Sequence, residues 1–392
     1  MPIVWTYPWN LSKDGPAKAC ADLVDRGVDS LTLASHYHSI RSLDARHPED
    51  LFGAYPGGCY FDPDPERFSE TPIDPPVNDV PGFDDPVADI VSVANDHGLA
   101  VNAWTVCLHN SRLGAAAPSF RVESAFGDAH DHAFCPSHPA VREYFAAVVG
   151  ALADRDVASI HLESIGYQSP FHDHGWRWGH AKRQTLDGVT EEALLAQCFC
   201  DGCRTAAASH TVDFDGAQSV VRDHLREWLT VPTADVPSLD ALIADEPVLR
   251  ELFAFRAAVV ESFVARLAES AGAVPLSYYA MEGHLGTDPT ALWPAGVRLD
   301  ELDAHLDRAM AICYVSNPEQ ACERIRSLHS MVGTDVTLDA GLTLDPDVVP
   351  DEATFTSLVD AVRGEIDGTV SVYHHGLMTE THLDWLTSAF GR

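Results

Sequence analysis

Glu163 closes the apolar run Ile160-His161-Leu162-Glu163. Thirty-five residues further on, Cys198-Phe199-Cys200-Asp201-Gly202-Cys203 packs three thiols into six positions. A carboxyl group set among Ile160, Leu162 and Ile165 is costly to ionise, and such a setting raises its pKa towards that of a general acid. Thiols spaced C-x-C-x-x-C sit in loops too short for disulfide geometry, yet they can converge on one tetrahedral ion if a fourth ligand arrives from elsewhere. Cys135, in Phe134-Cys135-Pro136-Ser137, is the best-placed fourth thiol. The expected centre is therefore a structural metal ion held by Cys135, Cys198, Cys200 and Cys203. Cys20, Cys313 and Cys322 read as small core residues, while the pattern leaves Cys59 and Cys107 unassigned.

The elements that would position these groups recur along the whole chain. Apolar, β-branched or aromatic runs fall at 3–7, 30–36, 100–106, 159–163, 274–280, 308–315, 336–342 and 369–374. Stretches at 15–26, 86–97, 139–154, 248–271, 299–306, 318–332 and 353–366 repeat apolar residues three or four apart, the helical period. Strand then helix eight times, with no clear hairpin signal, predicts a closed parallel (β/α)8 barrel of class α/β. An open doubly wound sheet fits less well, because no Gly-rich turn follows the first strand. Three connections, 38–85, 108–138 and 164–248, are too long for simple loops. They follow strands 2, 3 and 4 on the face where barrel enzymes build their sites. The reading is one barrel over residues 1–392, with a metal-stabilised excursion at about 164–248.

Strand ends then name candidates. Glu163 at strand 4, Glu282 after strand 5 and Asp339 in strand 7 are the expected catalytic carboxylates. Cleaving a glycosidic bond needs one carboxylic acid to protonate the leaving oxygen and a carboxylate to attack or to activate water. His36, His38, Trp104, Tyr167, Tyr279, Tyr314, His374 and His375 are expected to contact the sugar. Trp176, Trp178, His172 and His174 fall in a loop expected over the site. The same residues leave two alternatives open. Glu163, Glu282, Asp339 and His374 could hold a divalent cation in a sugar isomerase or epimerase, or the barrel could bind a saccharide without turning it over.

The chain carries 59 acidic against 25 basic residues, a formal charge of −34, and its lysines are Lys13, Lys18 and Lys182. Such a surface repels nucleic acid and anionic membrane, which excludes both as partners. It suits a halophilic cell, since at molar salt the Debye length is about 3 Å and self-repulsion is screened. No basic leader or long apolar run is present, so a cytoplasmic location with reduced thiols is expected. Composition leaves homo-oligomerisation open.

Cys135 ahead of a helix, a strand ending in Glu163, and then Cys198, Cys200 and Cys203 together resemble the zinc cluster of family 42 β-galactosidases. The resemblance spans about 70 residues and implies that the four cysteines ligate zinc and that Glu163 is the acid/base. Leu162 stands where that family has Asn before the acid, and Asp339 is nearest to its strand-7 Glu nucleophile. The strand positions also resemble α-amylase-like barrels. There Glu163 would be the nucleophile, Glu282 the acid and Asp339 the stabiliser, with His161 where that superfamily has Arg.

Overall fold

In the computed structural model, which describes residues 2–171, 182–231 and 235–391, eight parallel strands close on themselves. They are β1 (Ile3–Thr6), β2 (Ser30–Tyr37), β3 (Ala100–Val106), β4 (Ser159–Glu163), β5 (Leu276–Tyr279), β6 (Arg308–Ile312), β7 (Thr337–Thr343) and β8 (Val370–Tyr373). Ile3 pairs with Ser30 on one side and with Ser371 on the other, so β1 joins β2 to β8 and the barrel has no open edge. Each strand is followed by a helix: α1 (Pro16–Asp25), α2 (Pro86–Asp96), α3 (Pro139–Ala153), α4 (Pro247–Ala271), α5 (Leu299–Leu302), α6 (Pro318–His329), α7 (Glu352–Arg363) and α8 (Glu380–Phe390). Five of these begin on proline, whose missing N–H costs nothing in the first turn. Asp85, Asn317 and Asp351 cap their helices through the side chain. The expected helix at 299–306 is shorter, one turn of α-helix continued as the 3-10 turn Asp303–His305.

Strand alternation divides the core in two. Ile160 and Leu162 of β4 face the helices, in one continuous cluster with Leu31, Leu33, Val101 and Ala103. Trp5, Trp104, Tyr279, Met310 and Ile312 form a second, largely aromatic cluster towards the barrel mouth. The residues expected to surround Glu163 with apolar atoms therefore lie on the opposite face of its strand, and aromatic rings take their place.

The three long connections carry further structure, including the helix expected at 217–229 in the third. After β2, strands Ile40–Leu43 and Phe52–Tyr55 form an antiparallel hairpin, and Gly58–Cys59 pairs antiparallel with β2 itself. After β3, Arg121–Glu123 pairs with Ala129–Phe134. After β4 come helices Val189–Leu195, Asp201–Ala207, Phe214–Thr230 and Leu239–Asp245. Among the described residues, no helix is long and apolar enough to cross a membrane. His172, His174, Trp176 and Trp178 lie outside the described residues.

Candidate active site and thiol cluster

A cavity of about 390 Å³ opens at the C-terminal ends of the strands. Glu163, the last residue of β4, lines it together with Trp5, Tyr7, Tyr37, His38, Trp104, Tyr279, Tyr314 and Tyr373. Trp104 Nε1–H donates to Glu163 Oε2 at 2.7 Å, and burial raises the Glu163 carboxyl to a pKa of about 7 against that bond. The phenols of Tyr37 and Tyr373 lie 3.4 and 3.2 Å from that of Tyr7.

Below the cavity, a hydrogen-bond chain fixes the rings. Trp5 Nε1–H donates to Tyr279 Oη at 2.7 Å, and Ser159 Oγ–H donates to Asn102 Oδ1 at 2.7 Å. With its proton committed, Ser159 must accept from His161 Nε2–H at 2.8 Å, leaving His161 Nδ1 to accept from Tyr279 Oη–H at 3.0 Å. His161 is thus neutral, its pKa lowered by burial to about 4, and its work is to orient Tyr279.

Of the expected catalytic carboxylates, Glu163 lines the cavity and Glu282 and Asp339 do not. Asp339 is the third residue of β7 and so lies in the strand's N-terminal half. There it accepts from Arg308 Nε at 2.8 Å and Nη2 at 2.5 Å, and from Thr369 N at 2.7 Å and Oγ1 at 2.9 Å. The reading that put it at the mouth missed its depth in the strand. Glu282 is fully buried behind the turn that follows β4. Its Oε1 accepts from Ile165 N (3.0 Å), Gly166 N (3.2 Å) and Tyr278 Oη (3.0 Å), and its Oε2 accepts from Gln168 Nε2 (2.7 Å). Ser164, between Glu163 and this anchored segment, adopts a φ of +57°. Glu282 therefore holds the turn that sets the direction of Glu163. Burial raises its own carboxyl to a pKa of about 7 despite the four donors. The backbone N–H groups of Ile165 and Gly166 and the Gln168 amide face these oxygens as donors, so Glu282→Gln would set an amide N–H against another donor. We expect that variant to lose about 1–3 kcal/mol of stability, visible in thermal melts, and an unchanged melting temperature would remove the anchoring role.

Of the expected sugar contacts, His38, Trp104, Tyr279 and Tyr314 line the cavity. His36 does not. Its ring faces α3, with Nδ1 2.8 Å from Val106 O and Nε2 3.1 Å from Tyr144 Oη, because β2 changes register between Ala34 and His36. Tyr167 is buried against the thiol cluster, 3.8 Å from Cys203 Sγ. His375 sits between Thr6 Oγ1 (3.2 Å) and Arg46 (3.3 Å) and does not line this cavity. His374 packs on Tyr7 with ring centroids 3.9 Å apart and lines a neighbouring cavity of about 220 Å³ that shares Tyr373. Trp5, Tyr7, Tyr37 and Tyr373 were missed. Their signal was available as aromatic residues at alternate positions where strands end.

The four thiols come together as expected. The Sγ atoms of Cys135, Cys198, Cys200 and Cys203 all lie within 4.8 Å of one another, buried and close enough to hold a metal ion. Four thiolates at about 2.3 Å from one ion would stand roughly 3.8 Å apart, a separation that falls within the 4.8 Å span of the cluster. Arg256 supplies an independent sign of charge here. It is fully buried, and its Nη1 donates to Cys203 Sγ at 3.0 Å while its Nη2 donates to Cys198 O. The rings of Tyr167, Phe199, Phe214 and Phe255 surround it. Among the described residues no carboxylate contacts it, and the thiol cluster is the nearest source of the negative charge that a buried guanidinium requires.

Neither a family model nor a curated protein matches the chain. The same barrel is found in known glycosidases. A β-galactosidase from Bacillus circulans sp. alkalophilus superposes with a TM-score of 0.53 at 12% identity, over 100% of this chain and 56% of that one. The β-galactosidase from Marinomonas ef1 gives 0.52 at 12% identity, over 95% and 54%. The α-L-fucosidase isoenzyme 2 from Paenibacillus thiaminolyticus gives 0.52 at 10% identity, over 100% and 49%. The chain thus spans about half the length of these structures. At such identities the likeness is one of fold.

Proposed function

We propose that the chain hydrolyses a glycosidic bond, with Glu163 as the proton donor to the leaving oxygen. The observation that carries this reading is the setting of Glu163: it ends a barrel strand, lines an aromatic cavity of sugar size and has its pKa raised to about 7. A carboxyl group held protonated near neutral pH is what a glycosidic leaving group needs. Trp104 orients that carboxyl through one oxygen and leaves the other for substrate. Trp5, Tyr37, Tyr279, Tyr314 and Tyr373 offer flat faces and hydroxyls that suit a sugar ring. Glu282 acts by anchoring the adjoining turn rather than as the second carboxylate. The β-galactosidases and the fucosidase that share this barrel make nitrophenyl galactosides and fucosides the first substrates to assay.

We assign zinc to the four thiolates. They fill a tetrahedron and leave no position for catalysis, so the ion ties the excursion after β4 to the loop after β3. The isomerase reading would gather Glu163, Glu282, Asp339 and His374 round one cation. Asp339 bound to Arg308 in the lower half of β7 and Glu282 enclosed behind the turn argue against that. The acidic surface and clustered thiols suit a reducing, salt-rich cytoplasm.

The test is a panel of nitrophenyl and alkyl glycosides assayed from pH 5 to 9 in molar KCl. The acid role requires the protonated form, so kcat on the alkyl members should fall as pH rises through about 7. Turnover of no member of the panel, or activity that climbs through that range, would refute the proposal.

A further inference from the structure

Arg41 stands in the hairpin strand Ile40–Leu43 and lines the same cavity as Glu163. Its guanidinium lies over the Phe52 ring at 4.9 Å and, among the described residues, has no hydrogen bond or ion pair. With 59 acidic residues to 25 basic ones, carboxylates are in wide excess, and Arg26, Arg46, Arg155 and Arg326 each hold at least one. The adjacent Ser42 also lines the cavity, and its Oγ is buried without a partner. One wall of the cavity thus carries an exposed cation with no counter-charge and, on the next residue, a buried hydroxyl without a partner. The carboxyl group it shares the cavity with is already bonded to Trp104.

From this we infer that the saccharide taken by the cavity bears an anionic group, a uronate carboxylate or a sulfate ester, which Arg41 receives. A guanidinium matches the paired oxygens of either anion through two parallel N–H donors. The charge of −34 does not oppose such a ligand at molar salt, where long-range repulsion is screened while a contact pair inside a cavity is screened less. The inference rests on the proposed glycosidase reading for its substrate, but its ligand chemistry can be tested without turnover.

Three matched nitrophenyl glycosides, a neutral hexopyranoside, its 6-carboxylate and its 6-sulfate, would be compared at one ionic strength on the wild type, Arg41→Gln and Arg41→Lys. We expect one anionic member to exceed the neutral one by about tenfold or more in kcat/KM, chiefly through KM. That ratio should collapse towards one in Arg41→Gln and recover in part in Arg41→Lys. The better anion identifies the source of the charge. A neutral substrate preferred or equal in the wild type, or the same ratio in all three proteins, overturns the inference. If no glycoside is cleaved, the glycosidase reading fails, and calorimetric titration with the methyl uronide, the methyl glycoside 6-sulfate and the neutral methyl glycoside decides the role of Arg41. Tighter binding of either anion that Arg41→Gln abolishes sustains it, and equal or absent binding of all three ends it.

Discussion

Glu163→Gln is expected to lower kcat by roughly 10²- to 10⁴-fold, the usual worth of a positioned proton donor, while the folded protein and its metal content stay intact. Glutamine keeps the shape of the side chain and can still accept from Trp104 Nε1, so the aromatic wall need not rearrange. What it removes is the transferable proton. Selectivity between substrates supplies the sharper test. Aryl glycosides with good leaving groups need little protonation, so their rates should fall far less than those of alkyl glycosides. The descending pH limb near 7 should vanish from whatever activity remains. Stability offers a second check, with its sign set by linkage. The folded-state pKa of Glu163 is raised above the unfolded value of about 4.3, so folding takes up a proton between the two, and the group destabilises the fold as pH rises from about 4.3 to 7. Neutral glutamine has no such term, so thermal stability at pH 8 should be kept or improved. Full activity in the glutamine variant would end the assignment.

Eight strands, their order and the four thiols were legible because each leaves a strong periodic or spacing signal. The barrel repeats strand and helix, and C-x-C-x-x-C is dense enough to stand out. Depth within a strand leaves a weaker trace. Asp339 and Glu163 both alternate into the barrel, but one stands at the third residue of its strand and the other at the last. That difference of depth separates a salt bridge to Arg308 from a carboxyl group that faces the cavity. Facing is also lost where the register slips. His36 belongs to the run Ser35-His36-Tyr37-His38, and the irregularity near Ala34 turns His36 towards α3 while Tyr37 and His38 reach the cavity. Tyr167 and Glu282 were misjudged for another reason, since their partners come from distant parts of the chain. Cys203 and Arg256 draw Tyr167 away from the cavity, and Ile165, Gly166 and Gln168 enclose Glu282. Arg41 belongs to a hairpin whose short strands gave no periodic signal, so nothing in the sequence tied it to the site.

Arg256→Met is expected to destabilise the protein by about 3–5 kcal/mol, the cost of leaving one side of a buried charge pair uncompensated. Methionine fits among Tyr167, Phe199, Phe214 and Phe255, so the loss would come from charge more than from packing. Cys200→Ser should lower stability and zinc content together, because ligation and folding of this region are coupled. The two variants separate the parts of the argument. If thiolates round a divalent ion carry a net negative charge that Arg256 offsets, then Arg256→Met should keep all four ligands yet surrender zinc faster to a chelator. Cys200→Ser should instead reduce the stoichiometry at once. Arg256→Lys should restore part of the retention, since it keeps the charge but not the two-pronged reach to Cys203 Sγ and Cys198 O. Metal analysis, chelator-competition rates and thermal melts read these outcomes without any assay of hydrolysis. Zinc retention equal to wild type in Arg256→Met would show that the cluster does not depend on the guanidinium, and zinc content unchanged in Cys200→Ser would remove the four-thiolate centre itself.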